Sequence, residues 1–123
     1  MTLFVNKPFK SHGGRELLFK IECDGLTDED LETLAAQIAR NLRFKEVISI
    51  PRGGDRLAAA LRPHCVAHGA TLVVDDVYTT GTSMVTARRE YGTSGVMYLV
   101  LFSRGVCPSW IKVCFQMSSW LGP

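Results

Sequence analysis

Apolar residues along this chain cluster in short dense runs, and the spacing within the runs alternates between helical and extended periods. Residues 17–23 alternate loosely and predict a strand, half of a hairpin about Gly13-Gly14. Leu31, Leu34, Ala35, Ile38 and Leu42 then recur at three- and four-residue intervals, which lays one apolar stripe along a helix. Thr27 stands just ahead of that stripe with Glu29 and Asp30 in the first turn. A hydroxyl at the N-cap and acids near the positive end of the helix dipole both favour a helix start there. Residues 46–50 are a β-branched run that predicts a buried strand, broken by Pro51-Arg52-Gly53-Gly54. A short helix over 55–61 is stopped by Pro63. Residues 71–74 predict a second buried strand that runs into Asp75-Asp76, and residues 77–83 predict a hydroxyl-rich turn around Gly81. A third helix over 83–90 ends at Tyr91-Gly92, and residues 96–102 and 111–115 predict two more buried strands. Strands alternating with helices predict an α/β fold, with a parallel sheet flanked by helices.

A length of 123 residues predicts one domain over 1–123. With 46% hydrophobic and 21% charged residues the chain has the balance of an ordinary globular protein. A net charge of +2, evenly spread, argues against a nucleic-acid partner. No apolar run approaches the about 18 residues of a membrane span, and residues 1–10 lack the apolar core of a signal peptide. Cys23, Cys65, Cys107 and Cys114 lie far apart without a CxxC pair, so neither a zinc site nor a disulfide framework is indicated. They read as small buried hydrophobes in a cytoplasmic protein.

In an open α/β sheet, ligands gather where strands end and helices begin. Two such junctions have unusual composition. At the first, Asp75 and Asp76 follow a buried strand and precede Thr79, Thr80, Gly81, Thr82 and Ser83 at the start of a helix. Free N–H groups, hydroxyl donors and a glycine that admits close approach suit a phosphate. Paired acids a few ångströms away suit the hydroxyls of a sugar attached to it. At the second, Arg52, Gly53 and Gly54 combine exposed backbone N–H groups with a fixed cation, which suits a diphosphate.

The segment from Leu72 to Ser83 resembles the phosphoribosyl-pyrophosphate motif of the type I phosphoribosyltransferases: apolar residues, two acids, two further residues, then Thr-Thr-Gly-x-Ser. Tyr78 departs from it, where an aliphatic residue is usual. Ile50-Pro51-Arg52-Gly53-Gly54, one helix upstream, resembles the pyrophosphate loop of that family, in which a non-proline cis peptide bond is common. The resemblance implies a parallel sheet with small N-terminal and C-terminal hood elements. It also implies that Asp75 and Asp76 are the catalytic acids on the ribose, that residues 79–83 hold the 5′-phosphate, and that Arg52 to Gly54 hold the diphosphate.

The stretch from Phe9 to Arg15 is similar to the N-terminal segment of orotate phosphoribosyltransferases, with His12 interrupting their Lys-Ser-Gly turn. Phe102-Ser103-Arg104-Gly105 resembles the Asp-Arg of that subfamily, with serine in place of the aspartate. Lys10 and Arg104 are thereby implied to border an orotate. The tail through Ser119-Trp120-Leu121 resembles that of xanthine-guanine phosphoribosyltransferases, which implies Trp120 beside a purine. Residues 62–70 are the whole interval in which this family carries a mobile lid, too short for a strand and a lid together.

The implied reaction is transfer of ribose 5-phosphate from phosphoribosyl pyrophosphate to a base, orotate favoured, with release of diphosphate. Mg²⁺ would be carried by the substrate, and the family is commonly dimeric. Two alternatives stay open at this point: a purine acceptor (xanthine, guanine or hypoxanthine), and a non-catalytic protein that binds phosphoribosyl pyrophosphate or a nucleotide.

Overall fold

Thr27 and Asp30 cap each other across the first turn of helix α1 (Asp28–Asn41). The Thr27 hydroxyl accepts from the Asp30 N–H, and the Asp30 carboxylate accepts from the Thr27 N–H, both at 3.0 Å. The backbone bond from Thr27, followed by its hydroxyl, holds the Asp30 carboxyl below its usual range. The stripe predicted from the spacing faces inward: Leu31, Ala35 and Ile38 are buried, with Leu34 and Leu42 half-buried against the same core.

This computed structural model describes residues 26–117, together with the backbone of four two-residue strands closer to the N-terminus. Of these, β1 (Phe4–Val5) pairs with β4 (Lys20–Ile21), and β2 (Phe9–Lys10) pairs with β3 (Glu16–Leu17), both antiparallel. The second pair brackets the predicted Gly13-Gly14 turn, which itself lies outside the described residues. The predicted strand over 17–23 contributes to two short pairings and adds no strand to the parallel sheet.

That sheet has the order β5 (Phe44–Ser49), β6 (Ala70–Tyr78), β7 (Val96–Arg104), β8 (Ile111–Met117), with every neighbour parallel. It is the α/β architecture expected from the alternation. One boundary differs: β6 does not stop at Val74 but continues through Asp75, Asp76 and Val77 to Tyr78. Aspartates are poor strand formers, yet β7 is as long as β6 and pairs Asp75 with Val100, Val77 with Phe102 and Tyr78 with Ser103. The ladder overrides the local preference.

Side chains alternate along β6 and divide two cores. Leu72 and Val74 pack with Leu57, Ala58 and Leu61 of α2 (Asp55–Leu61) and with the stripe of α1. Val73 packs on the other face with Met84 and Ala87 of α3 (Thr82–Tyr91) and with Tyr98 and Val100. The sheet is therefore sandwiched, with α1 and α2 on one side and α3 on the other. Trp110 closes the α3 layer, edge-on to Tyr98 at 5.3 Å and beneath the Arg88 guanidinium at 4.5 Å. Cys65, Cys107 and Cys114 are free thiols and half-buried, and burial pushes the Cys114 thiol up to about 11.

After α2 a single 3-10 turn (Arg62–His64) leads to residues 65–69. The Val66 N–H donates to the Phe44 carbonyl at 2.9 Å and the Ala70 N–H to the Arg43 carbonyl at 3.1 Å. A Cβ on Gly69 would lie 2.9 Å from the Arg43 carbonyl. This interval is thus pinned to the start of β5, at the opposite end of the sheet from the strand C-termini. Among the described residues no helix is long and apolar enough to cross a membrane.

Candidate functional site

Beyond β5 the chain stays attached to β6, because the Ile50 N–H donates to the Val74 carbonyl at 2.8 Å. It then turns within four residues. The Gly54 N–H donates to the Ile50 carbonyl at 3.0 Å and the Asp55 N–H to the Arg52 carbonyl at 3.1 Å, while the Pro51–Arg52 peptide bond is cis. The Ser49 hydroxyl donates to the Asp55 carboxylate at 2.5 Å and ties the strand end to the first turn of α2. Neither glycine of the loop has room for a side chain. A Cβ on Gly54 would collide with the Val74 carbonyl, and one on Gly53 with the Asp76 carboxylate. The loop backbone therefore lies directly on β6 at the acids, with Arg52 exposed beside it.

Within β6 each acid accepts from the next N–H: Asp75 Oδ1 from Asp76 at 2.8 Å, and Asp76 Oδ1 from Val77 at 2.7 Å. As neighbours in a strand they point to opposite faces. Asp75 lines a shallow open hollow with Thr79, Thr80, Gly81, Thr82 and Ser83. Asp76 lines another with Gly53, Arg56 and Leu101. Asp75 is only 9% exposed. Burial first, then the hydrogen bond and like charge of Asp76, raise its carboxyl well above the usual carboxylate range, against the opposing backbone bond.

Tyr78 closes β6 and its ring lies over Gly81, whose φ of +85° requires a residue without a side chain. Helix α3 starts at Thr82, one residue earlier than the spacing predicts, and no side chain caps it. Its first N–H groups therefore face the Asp75 hollow, beside the hydroxyls of Thr80 and Thr82, which lie 3.2 Å apart. An uncapped helix start with hydroxyls at its rim can hold a tetrahedral anion.

All ten residues predicted at the two junctions thus meet at the C-terminal edge of β5 and β6. Arg104 ends β7 one strand away, half-buried. The loop behind it is tied down: Ser103 donates to the Gly105 carbonyl at 3.1 Å, Gln116 to the same carbonyl at 2.9 Å, and Cys107 to the Ser103 hydroxyl at 3.1 Å. The side chain of Lys10 and all of Trp120 lie outside the described residues. Among the described residues no group of three or more His, Cys, Asp or Glu side chains forms a metal cage. Arg56, which borders the Asp76 hollow, has no signal in the sequence. It donates to the Leu26 carbonyl at 2.7 Å and to Asp28 at 3.1 Å, so it bridges α2 to the entry of α1.

No family model matches the sequence, and no curated protein matches it. Solved structures do match. An orotate phosphoribosyltransferase from Aeropyrum pernix is 22% identical at a TM-score of 0.68, covering 93% of this chain and 88% of that one. The orotate phosphoribosyltransferase of Mycobacterium tuberculosis is 16% identical at 0.66, covering 91% and 87%. A hypoxanthine-guanine phosphoribosyltransferase from Bacillus anthracis is 18% identical at 0.52, covering 73% and 76%. At these identities the likeness shows the fold, and the fold is that of the type I phosphoribosyltransferases.

Proposed function

We propose that the protein transfers ribose 5-phosphate from phosphoribosyl pyrophosphate to a nucleobase, with orotate as the favoured acceptor, and releases diphosphate. The observation that carries this reading is the seating of the acid pair between two anion-binding turns. Asp76 lies on Gly53 of the Arg-Gly-Gly loop, and Asp75 lines the hollow at the start of α3. A ribose between them would place its 5′-phosphate on residues 79–83 and its diphosphate on residues 52–54. Its hydroxyls would then reach the two carboxylates.

The residues do their work by placement and charge. Departure of diphosphate from C1 leaves positive charge on the sugar and adds negative charge to the leaving group. Asp75 and Asp76 hold the ribose hydroxyls next to the growing cation. The Gly53 N–H and the exposed Arg52 guanidinium would face the leaving group. The N–H of buried Gly54, expected from the sequence to be exposed, is instead taken by the Ile50 carbonyl. Mg²⁺ would be bound chiefly through substrate oxygens. When bound, the ion would offset charge on the diphosphate. Arg104, at the end of the neighbouring strand, would meet the carboxylate of orotate.

A second reading, binding of phosphoribosyl pyrophosphate or a nucleotide without turnover, is favoured by one observation. Residues 65–69 are bound at the foot of the sheet and leave no lid-length segment between α2 and β6. Purified protein incubated with phosphoribosyl pyrophosphate, Mg²⁺ and a panel of bases separates the two. Base-dependent diphosphate release supports the transferase, and tight binding with no release under any base supports the second reading.

A further inference from the structure

Among the described residues, none uses the hydroxyl of Tyr78 as a hydrogen-bond partner. Its ring packs against the core beneath α3, and the phenol reaches over the tight turn. A Cβ on Gly81 would stand 2.6 Å from the phenol oxygen and 3.0 Å from the ring carbons. Tyr78 lines the same hollow as Thr80 and Thr82. A packing role alone asks only for the ring. The phenol oxygen is reached by solvent and so is free to donate to a ligand seated beside the uncapped helix start.

We propose that the Tyr78 hydroxyl is a further phosphate donor of the hollow at residues 79–83. The inference rests on the reading of that hollow as the 5′-phosphate subsite. A phosphate monoester has more acceptor positions than one helix start satisfies, and Tyr78 supplies a donor across Gly81. It would act on ligands that carry the phosphate and be indifferent to diphosphate held at the other loop.

Calorimetric titration of ribose 5-phosphate and of diphosphate into the wild type and Tyr78→Phe tests this. The variant keeps the ring and should melt like the wild type. Ribose 5-phosphate should bind the variant about tenfold more weakly, as for one hydrogen bond to a charged group, with diphosphate affinity unchanged. With the tyrosines labelled at the ring carbon bearing oxygen, the Tyr78 resonance among the three should move when ribose 5-phosphate is added. Equal or tighter binding by the variant, a parallel loss of both ligands, or a static Tyr78 resonance would each overturn the assignment. Failure of the wild type itself to bind ribose 5-phosphate would instead remove the phosphate reading of the hollow, and this inference with it.

Discussion

The carboxylate of Asp76 rests on the backbone of Gly53, so closely that a methyl group at residue 53 would overlap it. The acid belongs to β6 and the glycine to the turn after β5, and parallel pairing of the two strands brings them together. The adjacent Gly54 meets the Val74 carbonyl in the same way. The two glycines therefore have different obligations, one to the Asp76 carboxylate and one to the sheet backbone.

Gly53→Ala should leave the protein folded but displace the Asp76 carboxylate, and weaken phosphoribosyl pyrophosphate binding about tenfold or more, as for loss of a charge-assisted hydrogen bond. Gly54→Ala presses a buried methyl on backbone and should lower stability by about 1–3 kcal/mol, the usual cost of overpacking. Denaturant unfolding and ligand titration on both variants check the contrast. Two variants with the same balance of effects would contradict it.

Asp75→Asn with Asp76→Asn should abolish phosphoribosyl pyrophosphate binding in a folded protein. Above pH 7, where Asp75 is ionised, the amides keep volume but give up charged acceptors for two sugar hydroxyls, each bond being worth about 1.5–3 kcal/mol. Calorimetry decides the matter, and unchanged affinity would make the acids structural.

Folding stability should depend on pH through Asp75. Its carboxyl is raised from 3.8 to about 7 in the folded protein, so the folded state holds this proton more tightly than the unfolded chain. The stabilisation is full below about pH 4, declines as pH rises, and is lost above about pH 7. One proton sets a ceiling of about 1.4 kcal/mol per pH unit, and residual solvent screening keeps the slope below it. Asp75→Asn should remove the slope. The difference in melting temperature, variant minus wild type, should grow more positive from pH 4 to pH 7, and a difference constant across that range would refute the burial argument.

Arg104→Ala should weaken orotate binding by about ten- to a hundredfold, the range for hydrogen bonds to a charged group, and leave phosphoribosyl pyrophosphate affinity nearly unchanged. Trp120→Ala should spare orotate. Binding of guanine that depends on Trp120, with no binding of orotate to the wild type, would replace the favoured acceptor with a purine.

Much of the fold was legible because it rests on local spacing. The stripe from Leu31 to Leu42 and the Thr27–Asp30 pair define α1 without reference to the rest of the chain. The positions of both turns were legible from composition, since glycines and hydroxyls gather where β5 and β6 give way to helices. The course of β6 through its acids was not, because the partners that hold Asp75 and Val77 in the ladder, Val100 and Phe102, are distant in sequence. The same long-range pairing hides the divergence of the acids. Nor does any local pattern announce that the Tyr78 ring covers Gly81 or that Arg56 reaches the Leu26 carbonyl, since tertiary packing sets both directions.

Successive residues of one strand send Asp75 toward the α3 layer and Asp76 toward the layer of α1 and α2. Each layer has its own core and could open by itself, exchanging its amide hydrogens at its own rate. A sugar phosphate gripped by both carboxylates would join those openings, because neither layer could loosen without giving up part of the ligand. Its binding free energy would then be added to the opening of both, and protection against exchange would rise together in α2 and α3. The Asp75-Asp76 dipeptide within β6 would in this way tie the two layers together once the site is occupied.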